Sequence, residues 1–346
     1  MIKLENITKT FFTEDGNSII ANNHINLEVK DGEIFGIICF SGAGKSTLLK
    51  NINLLEKPDS GKVIVDGVDL LSLPKKEQRT QLNKIGSIIQ YVNLFDNLTV
   101  YENIAFPLKQ SGLGKAEIKD RVQKLLELVE LTGKEKAYPQ ELSDGQKQQV
   151  AIARSIAGEP KILLLDEATG NLDPSTTKSI LALLKKLHEK LKLTIVLVAH
   201  QMNVIKEICD HVAVMDNGFI VESGEVYDIF ANPKNEITKK FIRSTSSLSK
   251  VEELIASGSP ITQLKSGEKI VRLTYLEKNI SEPLLATLTT EFAVIPNIIF
   301  ADIEIVQDAP IGGTVAIFTG NEKAIDASLS WLKDKNVGIE VLAVGK

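Results

Sequence analysis

Cys39-Phe40-Ser41-Gly42-Ala43-Gly44-Lys45-Ser46-Thr47 is the stretch on which the reading of this 346-residue chain turns. It follows the apolar run Ile34-Phe35-Gly36-Ile37-Ile38, read as a buried strand, and precedes Leu48-Leu49-Lys50-Asn51-Ile52, read as the start of a helix. Strand, glycine-rich loop, Lys-Ser and helix together make the setting of a phosphate-binding loop. Successive backbone N–H groups form a concave anion site there, and a helix N-terminus adds about half a positive charge. Lys45 is expected to reach the β- and γ-phosphates and the Ser46 hydroxyl to ligate Mg²⁺. Cys39 stands where the pattern G-x-x-x-x-G-K-S places glycine. Two readings of it stay open: a thiol packed sideways beside a normal loop, or a loop with weakened nucleotide binding and an oxidisable group.

The length allows two domains, and a formal charge of -5 gives no electrostatic case for nucleic acid as the main partner. Two cysteines far apart, Cys39 and Cys209, make no disulfide framework and point to a reducing compartment. No apolar run approaches the roughly 18–20 residues of a membrane span, and Met-Ile-Lys-Leu-Glu is no signal peptide. Work at a membrane would therefore need spans from another chain.

Along the chain, 2–7 and 25–29 alternate as strands, and Phe11 and Phe12 fall at a strand end, as core or as a stacking surface for adenine. Residues 58–67 read as turn, strand, turn. Ile85-Gly86-Ser87-Ile88-Ile89-Gln90 is an apolar strand ending in an amide; in a parallel sheet its carboxyl end faces the ligand crevice, where Gln90 can meet Mg²⁺ or the attacking water. From about 100 to 157 the pattern is helical, with an amphipathic stripe over 120–131. Ser143 and Gln146 have capping-box spacing, and the same geometry, with Gly145, offers a phosphate grip. Ile162-Leu163-Leu164-Leu165-Asp166-Glu167 reads as a buried strand delivering two acids to the sheet edge. Asp166 suits the Mg²⁺ shell and Glu167 the attacking water. Asn171-Leu172-Asp173-Pro174 turns into a helix over 175–191, and the strand 193–199 ends at His200, a candidate site residue. His24, His188 and His211 are expected to be structural or surface groups.

Taken together, these pieces resemble the ATP-binding subunit of ABC transporters over residues 1–240. The resemblance implies an α/β P-loop ATPase domain with a helical subdomain at about 91–157. It implies that two copies pair head to tail, burying ATP between the phosphate loop of one and Ser143-Asp144-Gly145-Gln146 of the other. It also implies catalytic roles for Lys45, Glu167 and His200, adenine stacking on Phe11, Mg²⁺ held by Ser46, Gln90 and Asp166, and contact of Asp173 with the opposite site. The segment following Gln90 is implied to touch a membrane permease, with an extracytoplasmic solute-binding protein beyond it. The chain departs from the family at Asp144, where glycine is usual, and at Gln149 and Ala199. A carboxylate ~6 Å from the γ-phosphate would be repelled by about 3 kcal/mol per charge pair; Asp144 is therefore expected to point away and to support the helix N-terminus.

Residues 241–266 carry Ser244-Thr245-Ser246-Ser247 and Gly258-Ser259-Pro260 and read as a linker. Beyond it, strands at 269–276, 294–307, 313–319 and 337–344 with helices at 282–291 and 322–335 spell βαββαβ, a small α+β ferredoxin-like domain over 267–346. Such a tail is similar to the regulatory domain of bacterial methionine importers, matching at Glu33–Ile38 and Asn297–Asp302. The similarity implies that intracellular methionine bound to the tail slows transport, with Asn297 either a ligand contact or a plain strand-start residue. It implies a homodimer on the cytoplasmic face of the cell membrane. A motor for another amino acid or a small peptide, and a non-transport ATPase of the same family, are the alternatives.

Overall fold

The computed structural model describes residues 1–39, 42–89, 93–245, 250–275, 283–307 and 309–345, and of Cys39, Gln110 and Thr245 the backbone alone. Its contacts group Met1–Gly224 as one compact unit and Glu225–Lys346 as another.

In the first unit, β1 (Ile2–Phe12) and β2 (Ser18–Val29) form a hairpin, and β3 (Ile34–Cys39) leads to α1 (Lys45–Ile52). Next come β4 (Ser60–Val65), β5 (Val68–Asp69), α2 (Lys75–Leu82) and β6 (Ile85–Ile88). Three helices follow, α3 (Val100–Ala105), α4 (Lys115–Leu128) and α5 (Asp144–Ile156). The unit then runs through β7 (Ile162–Asp166), α6 (Pro174–Leu191), β8 (Thr194–Val198), α7 (Met202–Ile208), β9 (His211–Asp216) and β10 (Phe219–Glu225).

Two sheets result. The antiparallel one has the order β2-β1-β4-β5, and the other has the order β10-β9-β3-β8-β7-β6. In the second, β9-β3-β8-β7-β6 pair in parallel. Every residue of β7 and β8 is buried, as their unbroken apolar sequence requires of strands covered on both faces. Helix α1 lies in the layer between the sheets: Leu48, Leu49 and Ile52 pack with Ile2, Leu4 and Ile7 from one side and Leu164 and Val196 from the other. Because the strands are parallel, β3, β7 and β8 end along one edge, with Asp166 paired opposite Val198. That edge is where crossover loops gather and ligands bind. The helix after β3 starts at Lys45, earlier than the apolar run alone suggests, because Gly44 at φ 91° turns the chain directly into it.

The second unit opens with α8 (Val226–Ala231), α9 (Glu236–Thr245) and α10 (Lys250–Ala256). It continues through β11 (Lys269–Tyr275), α11 (Leu284–Phe292), β12 (Ile295–Val306), β13 (Ala309–Thr319), α12 (Glu322–Asp334) and β14 (Val337–Val344). Its sheet has the order β12-β13-β11-β14 with every pairing antiparallel, the βαββαβ arrangement expected from the pattern. Leu284, Leu288, Ile325 and Leu332 of α11 and α12 cover Val271, Leu273 and Phe318 on one face. The other face buries Ile270, Val315 and Ile317 against Val251 of α10. The expected linker 241–266 thus carries a packed helix. Apolar side chains on both faces of β11 leave the sheet needing a second cover, and α10 supplies it. Arg272 fastens that cover, donating from Nη2 to Glu252 of α10 and from Nη1 to Glu340 of β14, each at 2.8 Å.

Candidate active site

The loop between β3 and α1 makes two demands that only glycine meets cheaply. Gly42 and Gly44 sit at φ 84° and 91°, and a Cβ on Gly44 would lie 1.9 Å from the Ala21 carbonyl oxygen. The close approach is fixed by Asn22, fully buried in β2, whose Nδ2 donates to Ala21 O at 2.8 Å and to Gly44 O at 3.1 Å. Leu48 N then donates to Gly44 O at 2.9 Å, closing the first turn of α1. The N–H groups of Lys45, Ser46 and Thr47 form the first turn of α1 and lie at its positive end. Ala43 and Lys45 are both buried, with Lys45 only 5% exposed, so its stem is held in the fold. Phe40, Ser41 and Gln90 lie outside the described residues, and so does the side chain of Cys39.

Asp166 ends β7 beside this loop. Ser46 Oγ donates to its Oδ1 at 3.0 Å, while its buried Oδ2 finds no hydrogen-bond partner among the described residues. Burial pushes the Asp166 carboxyl above its ordinary range, opposed by the Ser46 bond and by Lys50 and Lys45, with the Glu167 charge adding to the rise. A buried carboxylate oxygen without a donor, joined to a serine hydroxyl, is a hard oxygen donor set. The residues present therefore fit a divalent cation such as Mg²⁺.

Glu167 follows at φ 54°, a left-handed conformation costing of order 1–3 kcal/mol in a non-glycine residue. Its N–H donates to Val198 O at 3.1 Å, so the turn is pinned across to β8. The turn swings the carboxylate to the strand end, where Oε1 meets Nε2 of His200 at 2.5 Å. Both side chains are partly exposed, which leaves the pair open to water. A cavity of about 230 Å³ adjoins them, lined by Asp144, Lys147, Gln148, Asp166 and Glu167 among others. Gln148 Nε2 is buried there without a partner among the described residues.

At the start of α5, Ser143 and Gln146 form a reciprocal capping box. Ser143 Oγ accepts from Gln146 N at 3.3 Å, and Gln146 Oε1 accepts from Ser143 N at 3.1 Å. Gly145 has a steric reason to be glycine, since a Cβ would lie 2.5 Å from Thr176 Cγ2 at the head of α6. Asp144 occupies the first turn of α5, exposed, with Lys147 Nζ 3.1 Å from its Oδ1. Asp173 caps α6: Oδ1 accepts from Ser175 Oγ at 2.6 Å and from the N–H groups of Ser175 and Thr176 at 2.9 and 3.0 Å, and Oδ2 accepts from Thr176 Oγ1. The Ser175 and Thr176 hydroxyls hold this carboxyl far below the usual carboxylate range.

Phe11 lies on β1 opposite Ile19, two residues along β2 from the Ala21 that abuts Gly44. Asn297 is exposed on β12, paired with Ile317. An apolar cavity of about 360 Å³ in the same unit, lined by Tyr275, Leu284, Leu285, Ile303 and Pro310 among others, does not include it. Sequence reasoning passed over Asn22, whose signal was two asparagines interrupting the alternation of a strand.

The family model described as ABC transporter matches residues 22–170, and the one described as NIL domain matches residues 269–341. The methionine import ATP-binding protein MetN 1 of Enterococcus faecalis is 44% identical over 342 residues, covering 99% of this chain and 96% of that protein. The protein of the same name from Bacillus cereus is 46% identical over 340 residues, covering 98% and 96%. Among solved structures, the ATP-binding cassette MJ0796, a dimer in a post-hydrolysis state bound to ADP and Pi, is 35% identical with a TM-score of 0.60, covering 65% of this chain and 99% of that one. The cbiO1 protein of Clostridium perfringens, part of the ABC transporter complex cbiONQ, is 31% identical with a TM-score of 0.61, covering 74% and 98%.

Proposed function

The chain belongs to the methionine import ATP-binding proteins of the ABC transporter family, and from that premise we propose that it is the ATP-hydrolysing motor of a methionine importer. The observation that carries the reading is the convergence at one sheet edge of the glycine loop with Lys45, the Ser46–Asp166 pair, and Glu167 bonded to His200.

ATP is the substrate. The first-turn amides of α1 and the Lys45 ammonium receive its phosphates, and Phe11 receives the adenine. Ser46 and Asp166 would hold Mg²⁺, with Gln90 a further candidate ligand; the ion supplies positive charge that offsets the phosphate oxygens. Glu167 polarises a water that attacks the γ-phosphorus and accepts its proton, as the bond to the bridging oxygen breaks and ADP leaves. His200, 2.5 Å from Glu167, orients that carboxylate, and its ring would contact the γ-phosphate.

A second copy completes each site through Ser143, Gly145 and Gln146, which the capping box holds at the N-terminus of α5. No helix among the described residues is long and apolar enough to cross a membrane. As the ATP-binding subunit of an importer, the motor acts on a separate permease at the cytoplasmic membrane face. An extracytoplasmic binding protein delivers solute to that permease. The second unit, with Asn297 as a candidate contact, takes methionine and slows the motor by favouring the separated arrangement of the two copies.

Reconstitution of the full chain with its permease and binding protein in vesicles tests the proposal. Methionine uptake that requires ATP and falls as methionine is loaded on the ATP side is the expected result. ATP-driven uptake of another amino acid or a peptide, with methionine excluded, would replace the solute; no ATP-dependent uptake would remove the motor.

A further inference from the structure

We propose that Asp59 is a positioning residue for the nucleotide base, holding the strand end that carries Phe11. This rests on the reading of Phe11 as the adenine platform. Strand β1 is paired on both sides only in its first part. Its ladder to β4 closes at Thr8 opposite Ser60, the first residue of β4, so among the described residues the last part of β1 has no strand beside it on that side. Its ladder to β2 is irregular in the same region, with register shifts between Ile7 and Lys9 and between Lys9 and Thr10. Past those shifts Thr10, Phe11 and Phe12 pair with Ile20, Ile19 and Ser18 of β2, so the strand end that carries the ring is held by a ladder on one side.

Asp59, immediately before β4, takes over the missing ladder. Its own N–H donates to Thr8 O at 2.7 Å. Its Oδ2 accepts from Thr10 N at 2.7 Å, standing in for the backbone carbonyl that β4 no longer offers. Its Oδ1 lies 3.5 Å from Lys9 Nζ, and that ammonium sits 5.2 Å from the centre of the Phe11 ring. One carboxylate therefore anchors both the backbone before Phe11 and the cation on the ring. The Phe11 ring remains partly exposed, which leaves a face for a base to stack on. A charged acceptor in this role makes a shorter and stronger bond than a neutral one.

The test measures binding of Mg·ATP and of Mg·inorganic triphosphate, which has no base, to the full chain and to D59A, D59N, F11A and D59A/F11A. Asp59→Ala is expected to weaken ATP by about 3- to 10-fold while triphosphate affinity stays within about twofold. Asp59→Asn keeps an acceptor for Thr10 N and recovers most of the loss. In the F11A background, D59A adds less than about twofold, because both changes remove the same platform. The inference is overturned if F11A weakens ATP and D59A does not, or if D59A weakens ATP and triphosphate alike. F11A without effect on ATP removes the platform reading itself and this inference with it, leaving the phosphate site untouched.

Discussion

Replacing Gly145 by alanine separates two explanations for a glycine at the head of α5. One is room for a phosphate; the other is room for Thr176. A Cβ would stand 2.5 Å from Thr176 Cγ2, about an ångström inside ordinary contact. Overpacking of that kind costs about 1–3 kcal/mol. Alanine returns at most about 1 kcal/mol of helix propensity, and less in a first turn. The net expectation for G145A is a loss of about 1–2 kcal/mol, or roughly 2–8 °C in melting temperature for a unit of this size. Thr176→Ser removes Cγ2 but keeps the hydroxyl that binds Asp173. In urea denaturation, G145A/T176S is therefore expected to recover most of what G145A loses, giving a coupling of about 1 kcal/mol in the double-mutant cycle. ATPase assays on the stable double variant then read the phosphate role by itself. Equal stability of G145A and G145A/T176S would refute the steric account.

Asp166→Asn is expected to stabilise the metal-free protein. Because burial raises the Asp166 pKa in the fold, this group favours the native state below its unfolded pKa of about 4, and that advantage is lost as pH rises through the folded value. The stability gain of D166N in EDTA should therefore be larger at pH 8 than at pH 4, and Mg·ATP should raise the melting temperature of the natural protein by more than that of D166N. Arg272→Ala should destabilise the second unit by about 1–2 kcal/mol in denaturant, below the full cost of breaking a buried pair, because the two carboxylates it leaves are half exposed. Single E252Q and E340Q changes should cost less than about 1 kcal/mol each.

What the sequence disclosed follows from where chemistry and period coincide. Ile162–Leu165 is a short apolar run bounded by turn residues and reads as a covered strand, which puts Asp166 and Glu167 at its end. The left-handed turn at Glu167, which aims the carboxylate at His200, carries no sequence mark, since glutamate is not a residue that favours it. The βαββαβ order of the tail was legible because each strand and helix keeps its own period. The packed helix α10 was hidden by the Ser, Gly and Pro around it, which read as linker until Val251 is seen against Ile270 and Val315. Gly145 read as a phosphate contact because its steric partner, Thr176, is distant in sequence. Asn22 and Asp59 act through backbone groups of other strands, contacts that a linear pattern does not encode.

Steady-state hydrolysis by Glu167→Gln tests the central claim, that this carboxylate activates the attacking water while the loop and Lys45 hold the triphosphate. Removing a general base costs about 10²- to 10⁴-fold in turnover; E167Q should lose at least the lower figure while binding Mg·ATP within about twofold of the natural chain. Turnover of E167Q within about threefold of the natural protein would contradict it.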